Sequence, residues 1–301
     1  MKTLISISGL LLSYVSFLVI SSGYVYGIDK GIYGEDNRND LCTSTNTKFK
    51  VWAQSTAAQI LKDRVVSRSN GSYLIDSKSF ADLMMENEVN LCSEERFREQ
   101  PAAANCSGFL VGEDRLVTAG HCVTNMNDCE KMLWVFDYKV KSGSTVSDQI
   151  TVSSSNVYSC KEIISQEMEM GRGKDFALIR LDRKVKDRKP LSYRRNGTIS
   201  VGEQVVVIGH PSGLPTKITD GAFVRDSADP IYFVANSDTY GGNSGSVVMN
   251  VKTGLVEGIL VRGDQDFEMN FEKNCYMSKR CAENDCRGED ITKITVINEL
   301  L

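Results

Sequence analysis

The sequence predicts an all-β fold, a barrel or a sandwich, over the part of the chain that follows about residue 100. Short runs of β-branched, aromatic and aliphatic residues recur there at regular intervals. Gly, Asp, Asn and Ser separate these runs, and strands so spaced between turn residues are typical of barrels and sandwiches. Hydrophobic residues make up 41% of the chain and charged residues 25%, an ordinary globular balance that can bury a large core.

Taken in order, the elements are short strands followed by one closing helix. The predicted strands are Phe109–Val111, Arg115–Thr118, Leu133–Phe136, Phe176–Leu181, Gln204–Ile208, Ile231–Ala235, Ser246–Met249 and Leu255–Val261. At the end of the chain the apolar residues recur every three or four positions, which is the period of a helix. That stripe predicts a short C-terminal helix and consists of Ile291, Ile294, Ile297 and Leu301.

The first residues have the pattern of a secretory signal peptide, which we place at 1–23. Lys2 is followed by an apolar run from Leu10 to Ile20, and small residues close the run at Ser21. A membrane anchor is the alternative, but the run is shorter than the roughly 20 residues that a spanning helix needs. We therefore expect a secreted protein, extracellular or periplasmic, with no stable membrane insertion after the signal is removed.

Between the signal and the strands, residues 24–100 are polar and mixed. Apolar residues recur at loosely helical intervals from Val51 to Leu61 and from Phe80 to Val89. We interpret 24–100 as a propeptide or an N-terminal extension that packs on a domain at 101–301.

Nine cysteines in an exported chain predict disulfides, and their odd number leaves at least one unpaired within a monomer. A zinc site at Cys275, Cys281 and Cys286 is the alternative, but no CxxC pair occurs and both histidines lie far away in sequence. We predict no metal and no cofactor. The net charge of −4, without a basic stripe, gives no reason to expect a nucleic-acid partner.

Three short segments carry residues suited to nucleophilic catalysis. They are Thr-Ala-Gly-His-Cys ending at Cys122, Lys-Asp-Phe-Ala-Leu beginning at Lys174, and Gly-Gly-Asn-Ser-Gly-Ser beginning at Gly241. A serine hydroxyl becomes nucleophilic when an imidazole takes its proton, and a carboxylate fixes the tautomer of that imidazole. The candidates are Ser244, His121 and Asp175. His210, the only other histidine, follows an apolar strand in a Gly-His-Pro turn, and we expect it to be a loop residue.

A tetrahedral intermediate also needs N–H donors for its oxyanion. The glycine-rich turn can supply them from the backbone of Gly242 and Ser244, since residues without side chains let the chain turn tightly.

These three segments, in the order His, Asp, Ser, resemble the chymotrypsin-like serine peptidases. The resemblance covers roughly Ala104 to Gly263 and implies two six-stranded antiparallel β-barrels packed together, with the catalytic triad in the cleft. It also implies a disulfide between Cys106 and Cys122 that closes the histidine loop. Asn243 before the serine and Ser246 after the glycine are more similar to the bacterial branch that includes the glutamyl endopeptidases than to the animal enzymes.

The resemblance implies less about specificity. In trypsin-type enzymes a carboxylate six residues before the nucleophile binds substrate Arg or Lys, and here that position is Asp238, followed by Thr239. Val261 and Gly263 match the strand that binds the substrate. The histidine that glutamyl endopeptidases carry on this strand is missing. We therefore expect cleavage after Arg or Lys, with Glu or Asp specificity as the alternative; Arg262 could neutralise Asp238 or favour acidic substrates.

Residues Gly31 to Arg38 resemble the mature start of the bacterial branch, and Lys30 stands before them. If the Lys30–Gly31 bond is cleaved on activation, the uncleaved chain is a zymogen. We expect the mature protein to be a monomer that acts on proteins or peptides. The alternative function is that of a catalytically idle homologue that binds a protein or surface ligand.

Further disulfides can only be suggested. The suggested pairs are Cys129–Cys160, Cys42–Cys92 and two of Cys275, Cys281 and Cys286.

Overall fold

A computed structural model describes residues 31–143, 149–263 and 265–301. The predicted signal peptide at 1–23 and Lys30 lie outside the described residues. Within them, no helix is long and apolar enough to cross a lipid bilayer.

Most of the regular structure is β. In chain order the strands are β1 (Ile32–Tyr33), β2 (Arg38–Asp40), β3 (Thr56–Leu61), β4 (Val65–Ser67), β5 (Ser72–Ile75), β6 (Lys78–Ser79), β7 (Pro101–Ala102), β8 (Ala104–Leu110), β9 (Arg115–Thr118), β10 (Met132–Phe136), β11 (Thr151–Ser153), β12 (Val157–Met168), β13 (Asp175–Leu181), β14 (Gln204–Gly209), β15 (Lys217–Asp226), β16 (Tyr232–Ala235), β17 (Val247–Asn250), β18 (Val256–Arg262), β19 (Phe267–Asn270), β20 (Cys275–Ser278), β21 (Arg280–Cys281) and β22 (Glu289–Lys293). The helices are α1 (Thr47–Ala53), α2 (Phe80–Met85) and α3 (Met126–Lys131).

The first barrel closes through the strand order β10-β12-β13-β9-β8-β3, and its neighbouring strands are all antiparallel. Alternate residues of each strand point inward, as the two-residue period of a strand requires. Trp134 and Phe136 on β10 are fully buried in the same apolar cluster as Phe109 and Ile179.

The second barrel closes through β14-β17-β18-β22-β16-β15, with β15 pairing back to β14 and β2 added beside β15. Its interior includes Val205, Phe233, Leu260 and Ile291, all buried. The apolar cluster that holds Phe109 and Ile179 of the first barrel also includes Ile208 of the second, so the two barrels share a continuous apolar contact. The predicted fold of two six-stranded antiparallel barrels is confirmed.

Two expectations about the ends of the domain need correction. Strand β3 comes from residues 56–61, so the first barrel draws on the stretch that we interpreted as an extension, and it begins before residue 101. The closing segment is not an α-helix. Ile291 lies in β22, and two single 3-10 turns follow at Ile294–Val296 and Asn298–Leu300. The side chains of Ile294 and Ile297 are buried, whereas Leu301 is exposed.

The disulfides confirm Cys106–Cys122, Cys129–Cys160 and a pair within the group Cys275, Cys281 and Cys286, and they contradict the fourth suggested pair. Cys106–Cys122 and Cys129–Cys160 are formed. Cys92 pairs with Cys275, and therefore the suggested Cys42–Cys92 pair is wrong. Cys281 pairs with Cys286, which leaves Cys42 as the free cysteine of the described chain.

Candidate functional site

The histidine candidate lies on a 3-10 turn, Gly120–Cys122, directly after strand β9. The Cys106–Cys122 disulfide ties this turn to β8. Residue 120 must be glycine here, because a Cβ atom would lie 2.1 Å from the carbonyl oxygen of Glu167 and 2.9 Å from that of Phe176. The backbone around His121 is therefore packed against β12 and β13, and this packing fixes the position of the imidazole.

Strand β13 begins at Asp175 and brings its carboxylate under the imidazole. Nδ1 of His121 lies 2.8 Å from Oδ2 of Asp175, and the backbone N–H of His121 donates to Oδ1 at 3.1 Å. Burial would raise the pKa of Asp175, but the hydrogen bonds and charge of His121, together with Arg262, hold it below its ordinary value. With Nδ1 as the donor to a carboxylate, Nε2 is left as a proton acceptor.

The serine candidate lies in the glycine-rich turn between β16 and β17. Ser244 is buried, and its carbonyl accepts the N–H of Ser107 from the first barrel at 2.8 Å. Gly245 has a φ of +85°, and a Cβ atom there would lie 2.0 Å from the carbonyl oxygen of Ser107. The contact between the barrels thus requires a glycine immediately after Ser244.

Two reactive atoms in this cleft are buried and without partners. Neither Oγ of Ser244 nor Nε2 of His121 has a hydrogen-bond partner among the described residues. The structure therefore forms the His121–Asp175 pair and leaves the hydrogen bond between Ser244 and His121 open. Catalytic hydrogen bonds are often long without substrate and tighten when substrate binds.

Several hydrogen bonds hold the glycine-rich turn, and three of them are donated by its own backbone to nearby carbonyls. The N–H groups of Asn243, Gly245 and Ser246 donate to the carbonyls of Tyr240, Leu260 and Asn243, respectively. The N–H groups of Gly242 and Ser244 take no part in these bonds. They are the two donors that the sequence predicts for an oxyanion.

The carboxylate of Asp238 is engaged by the N-terminal segment of the described chain. This carboxylate is buried and accepts the backbone N–H groups of Tyr33 at 2.7 Å and Asn37 at 2.8 Å. Burial raises the pKa of Asp238 to about 7, although these two N–H donors oppose the rise. The N-terminal segment therefore occupies the carboxylate to which the sequence assigns a substrate contact.

The other predicted specificity residues are also engaged with the protein. Thr239 is buried and donates from Oγ1 to Glu289 at 2.8 Å. The side chain of Val261 is buried, and the carbonyl of Gly263 accepts a hydrogen bond from Arg287 at 2.8 Å. Asp238, Thr239, Val261 and Gly263 are all buried.

Arg262 does not pair with Asp238, which was one of the alternatives left by the sequence. It crosses the cleft and donates to the carbonyls of Gly171 at 2.8 Å and Gly173 at 2.7 Å, in the loop that precedes Asp175. Its guanidinium also lies 3.6 Å from the carboxylate of Asp290. Arg172, 3.5 Å from Asp290, and Arg287 pair with the same fully buried carboxylate.

Sequence reasoning missed this arginine cluster and the binding of Asp238 by residues 33–37. Neither has a local motif, because the partners lie far apart in the chain. His210, which the sequence places in a loop, does follow β14 but is completely buried, with Nδ1 3.2 Å from Oγ of Ser107 and Nε2 3.2 Å from Oγ1 of Thr216. The one cluster of candidate metal ligands at the described site combines His121 with Cys106 and Cys122. Their disulfide leaves no thiolate to bind an ion.

Comparisons with known proteins agree with this geometry. The profile of the trypsin-like peptidase domain family matches residues 106–259, just over half of the 301-residue chain, and this range includes His121, Asp175 and Ser244. No curated protein is significantly similar in sequence.

Several solved structures are similar to the chain at low sequence identity. A Glu endopeptidase in complex with MPD is 15% identical, with 89% of this chain and 96% of that chain covered and a TM-score of 0.48. The Rv3671c protease from M. tuberculosis in its active form is 13% identical, with 97% and 93% covered and a TM-score of 0.45. The inactive form of the Rv3671c protease is 14% identical, with 85% and 91% covered and a TM-score of 0.43.

Proposed function

Because the chain belongs to the trypsin-like peptidase family, we propose that it is a secreted serine endopeptidase in which Ser244, His121 and Asp175 form the catalytic triad. The observation that carries the proposal is the 2.8 Å contact between His121 and Asp175, beside a buried serine hydroxyl without a partner. The four disulfides support an oxidising destination.

In this mechanism Nε2 of His121 accepts the proton of Ser244 while Oγ attacks the scissile carbonyl carbon. The N–H groups of Gly242 and Ser244 stabilise the negative oxygen of the tetrahedral intermediate. His121 then protonates the leaving amine, and an acyl-enzyme remains on Ser244. Water attacks that ester by the same route, and Asp175 stabilises the charged imidazole in both halves.

Labelling with a fluorophosphonate tests the proposal, since this probe reacts with an activated serine. We expect labelling of the mature protein at Ser244 and loss of labelling in Ser244→Ala and His121→Ala. Ser153→Ala, at an exposed serine, serves as the control and should label like the wild type. Labelling that persists in Ser244→Ala would contradict the triad. No labelling of folded, processed protein would support the idle homologue.

Two specificities remain candidates, and different residues favour each. Cleavage after Arg or Lys needs the carboxylate of Asp238, which the N–H groups of Tyr33 and Asn37 occupy. Cleavage next to an acidic residue is favoured by Arg172, Arg262 and Arg287, because they surround the single carboxylate of Asp290 and leave excess positive charge beside the cleft. We place the acidic preference first on this observation.

Matched peptides that differ only in Arg, Lys or Glu before the scissile bond distinguish the two candidates. We expect the Glu peptide to be cleaved fastest. A preference for Arg or Lys that disappears in Asp238→Asn would instead assign the specificity to Asp238, and would require residues 31–37 to leave that carboxylate.

We also propose that the Lys30–Gly31 bond is the site of activation. Gly31 lies beside Thr239, whose N–H donates to the carbonyl of Gly31 at 3.3 Å. The next residue, Ile32, is buried and pairs with β21, so the new terminus would already be held next to the active site. N-terminal sequencing of the active secreted protein should begin at Gly31. Active protein that keeps Lys30 would contradict this step.

A further inference from the structure

A cavity of about 610 Å³ adjoins the glycine-rich turn, next to Gly241 and Gly242. Its walls are mainly apolar and come from distant parts of the chain. Leu83 and Met84 contribute from α2, and Phe267 and Tyr276 contribute from the β19–β20 hairpin. Clefts of this size with apolar walls are typical of binding sites for small molecules or side chains.

The walls of the cavity are fixed in place by the core behind them. Leu83, Met84 and Tyr276 are half-buried and pack on a cluster that includes Phe80 and Tyr240. An apolar side chain that entered the cavity would therefore meet surfaces that are already ordered, which lowers the entropic cost of binding.

Covalent and polar links hold the α2 segment against the hairpin. The Cys92–Cys275 disulfide joins them directly. Close to it, the N–H and the hydroxyl of Ser278 donate to the carboxylate of Glu95 at 2.7 and 2.6 Å. The cavity is thus a built feature of this chain.

The position of the cavity relative to His121 indicates which part of a substrate would reach it. Ala103, Ala104 and Asn105 line it and lead directly into Cys106, whose disulfide to Cys122 lies beside His121. In the proposed mechanism His121 protonates the leaving amine, so the leaving group must lie near the histidine turn. The strand that carries Val261 is not among the residues that line the cavity.

We propose that this cavity binds an apolar side chain of the polypeptide substrate within the first three residues after the scissile bond. The inference rests on the proposed peptidase function and adds a second determinant of specificity to it. An apolar residue at that position would be buried against Leu83, Met84 and Phe267. A serine would gain little from this apolar surface, and an aspartate would meet Arg64 as well as Glu86 and Asp266, which also line the cavity.

The test compares rates of hydrolysis of internally quenched peptides. The residues before the scissile bond are copied from sites that the mature wild-type protein cleaves in a mixture of denatured proteins. The peptides then differ only in Leu, Phe, Ser or Asp at the first, second or third position after the scissile bond. We expect kcat/KM to be at least about tenfold higher for the apolar residue at one of these positions, a typical discrimination for an apolar pocket.

A pair of variants assigns that preference to the cavity. Met84→Gln keeps the length of the side chain and should reduce the ratio of Leu-peptide to Ser-peptide hydrolysis. Met85→Gln, at the next residue of α2, which is exposed and does not line the cavity, should leave the ratio at its wild-type value. Equal rates for all peptides, or a ratio that Met84→Gln does not change, would overturn the proposal.

Two other results separate the possible failures. As a further substrate, a nitroanilide carries the same residues before its scissile bond. If neither the peptides nor this nitroanilide were hydrolysed, the proposed peptidase function would be wrong, and the proposed role of the cavity would be wrong as well. If Met84→Gln raised the rates of all peptides by the same factor, the cavity would hold a segment of this chain in the wild type, and the proposed substrate contact would be wrong.

Discussion

The two histidines of the chain have opposite surroundings. His121 contacts a carboxylate through Nδ1, and Nε2 is left for a proton. His210 is completely buried between two hydroxyl groups and stacks on Tyr138 at a centroid distance of 6.0 Å. The sequence distinguishes the two histidines, because only His121 stands beside a cysteine, Cys122, that has a possible disulfide partner sixteen positions earlier at Cys106.

The burial of His210 should be measurable as a dependence of stability on pH. Burial, with a smaller effect of the charge of Lys217, lowers the pKa of His210 to about 3 in the folded protein, whereas an unfolded histidine has a pKa of about 6.5. As the pH falls below 6.5 the unfolded state gains a proton that the folded state does not. This histidine therefore lowers the free energy of unfolding by about 1.4 kcal/mol per pH unit down to pH 3.

His210→Asn removes that contribution. At pH 7 the variant should be less stable than the wild type, since Thr216 loses a hydrogen bond. Between pH 7 and pH 5 the difference in unfolding free energy should shrink by about 2 kcal/mol, as measured by urea unfolding. A difference that stays constant would mean that His210 binds a proton in the folded protein. Asp238, whose pKa is about 7, is present in both proteins, so its contribution to the pH dependence cancels in the difference between them.

Asp175→Asn tests the carboxylate of the triad. Asparagine can keep the shape of the contact, but its amide favours the wrong tautomer of His121, and loss of the carboxylate removes the charge that stabilises the imidazolium. We expect kcat to fall about 10⁴-fold, as in other enzymes with this triad, with little change in folding. Asp220→Asn, at an exposed aspartate in β15, is the control for charge. Equal activity of the two variants would contradict the proposed role.

At the scale of the elements, the sequence predicts the strands whose short apolar runs end at clear turn residues. Each predicted run overlaps a barrel strand, for example Phe176–Leu181 in β13 and Gln204–Ile208 in β14. Strands with other patterns were missed. Strand β3 contains two alanines, which favour helix, and pairing with β8 and β10 overrides that preference. Strand β15 contains Asp220-Gly221, a typical turn pair, in its middle.

The sequence predicts a closing helix because the segment found there has nearly the same spacing of buried side chains as a helix. Two successive 3-10 turns repeat their buried side chains every three residues, as at Ile294 and Ile297. That interval is close to the period of an α-helix and cannot be distinguished from it over so few residues. Ile291 extends the same spacing by chance, because it belongs to β22 and is buried inside the second barrel.

The Cys92–Cys275 disulfide connects parts of the chain 183 residues apart. Replacing both cysteines with alanine should lower the free energy of unfolding by about 2–5 kcal/mol, because the unfolded chain regains the freedom that the crosslink removes. Cys42→Ala is the matched control, since Cys42 has no disulfide, and it should stay within about 0.5 kcal/mol of the wild type. Urea unfolding under oxidising conditions measures both. Equal stability of the double variant and the wild type would show that the crosslink adds nothing.

Over the whole molecule, the proposed catalytic groups come from both barrels. The first barrel supplies His121 and Asp175, and the second supplies Ser244. The sequence could predict these residues, because each belongs to a local motif. It could not predict the occupied carboxylate of Asp238 or the partners of Arg262. Those contacts join residues as far apart as Tyr33 and Asp238, and only the packed barrels bring them together.

Arg262 is a polar link between the barrels at the cleft. It leaves β18 of the second barrel and holds the carbonyls of Gly171 and Gly173, two residues before Asp175 begins β13. The position of Asp175 under His121 therefore depends on an arginine from the other barrel. Arg287 pairs with the same Asp290, but it donates its hydrogen bond to the carbonyl of Gly263 in the second barrel.

Arg262→Met keeps the length of the side chain and removes its hydrogen bonds to the loop. We expect the free energy of unfolding to fall by about 3 kcal/mol, because a buried carboxylate loses one of its cations. We also expect kcat/KM to fall at least about tenfold, since small displacements of catalytic groups are costly. Arg287→Met takes a cation from the same carboxylate without touching the loop. With a peptide that carries no acidic residue, it should lower stability while changing kcat/KM much less than Arg262→Met does. If both variants lost activity equally, the effect would come from the charge of Asp290, and the link between the barrels would not position Asp175.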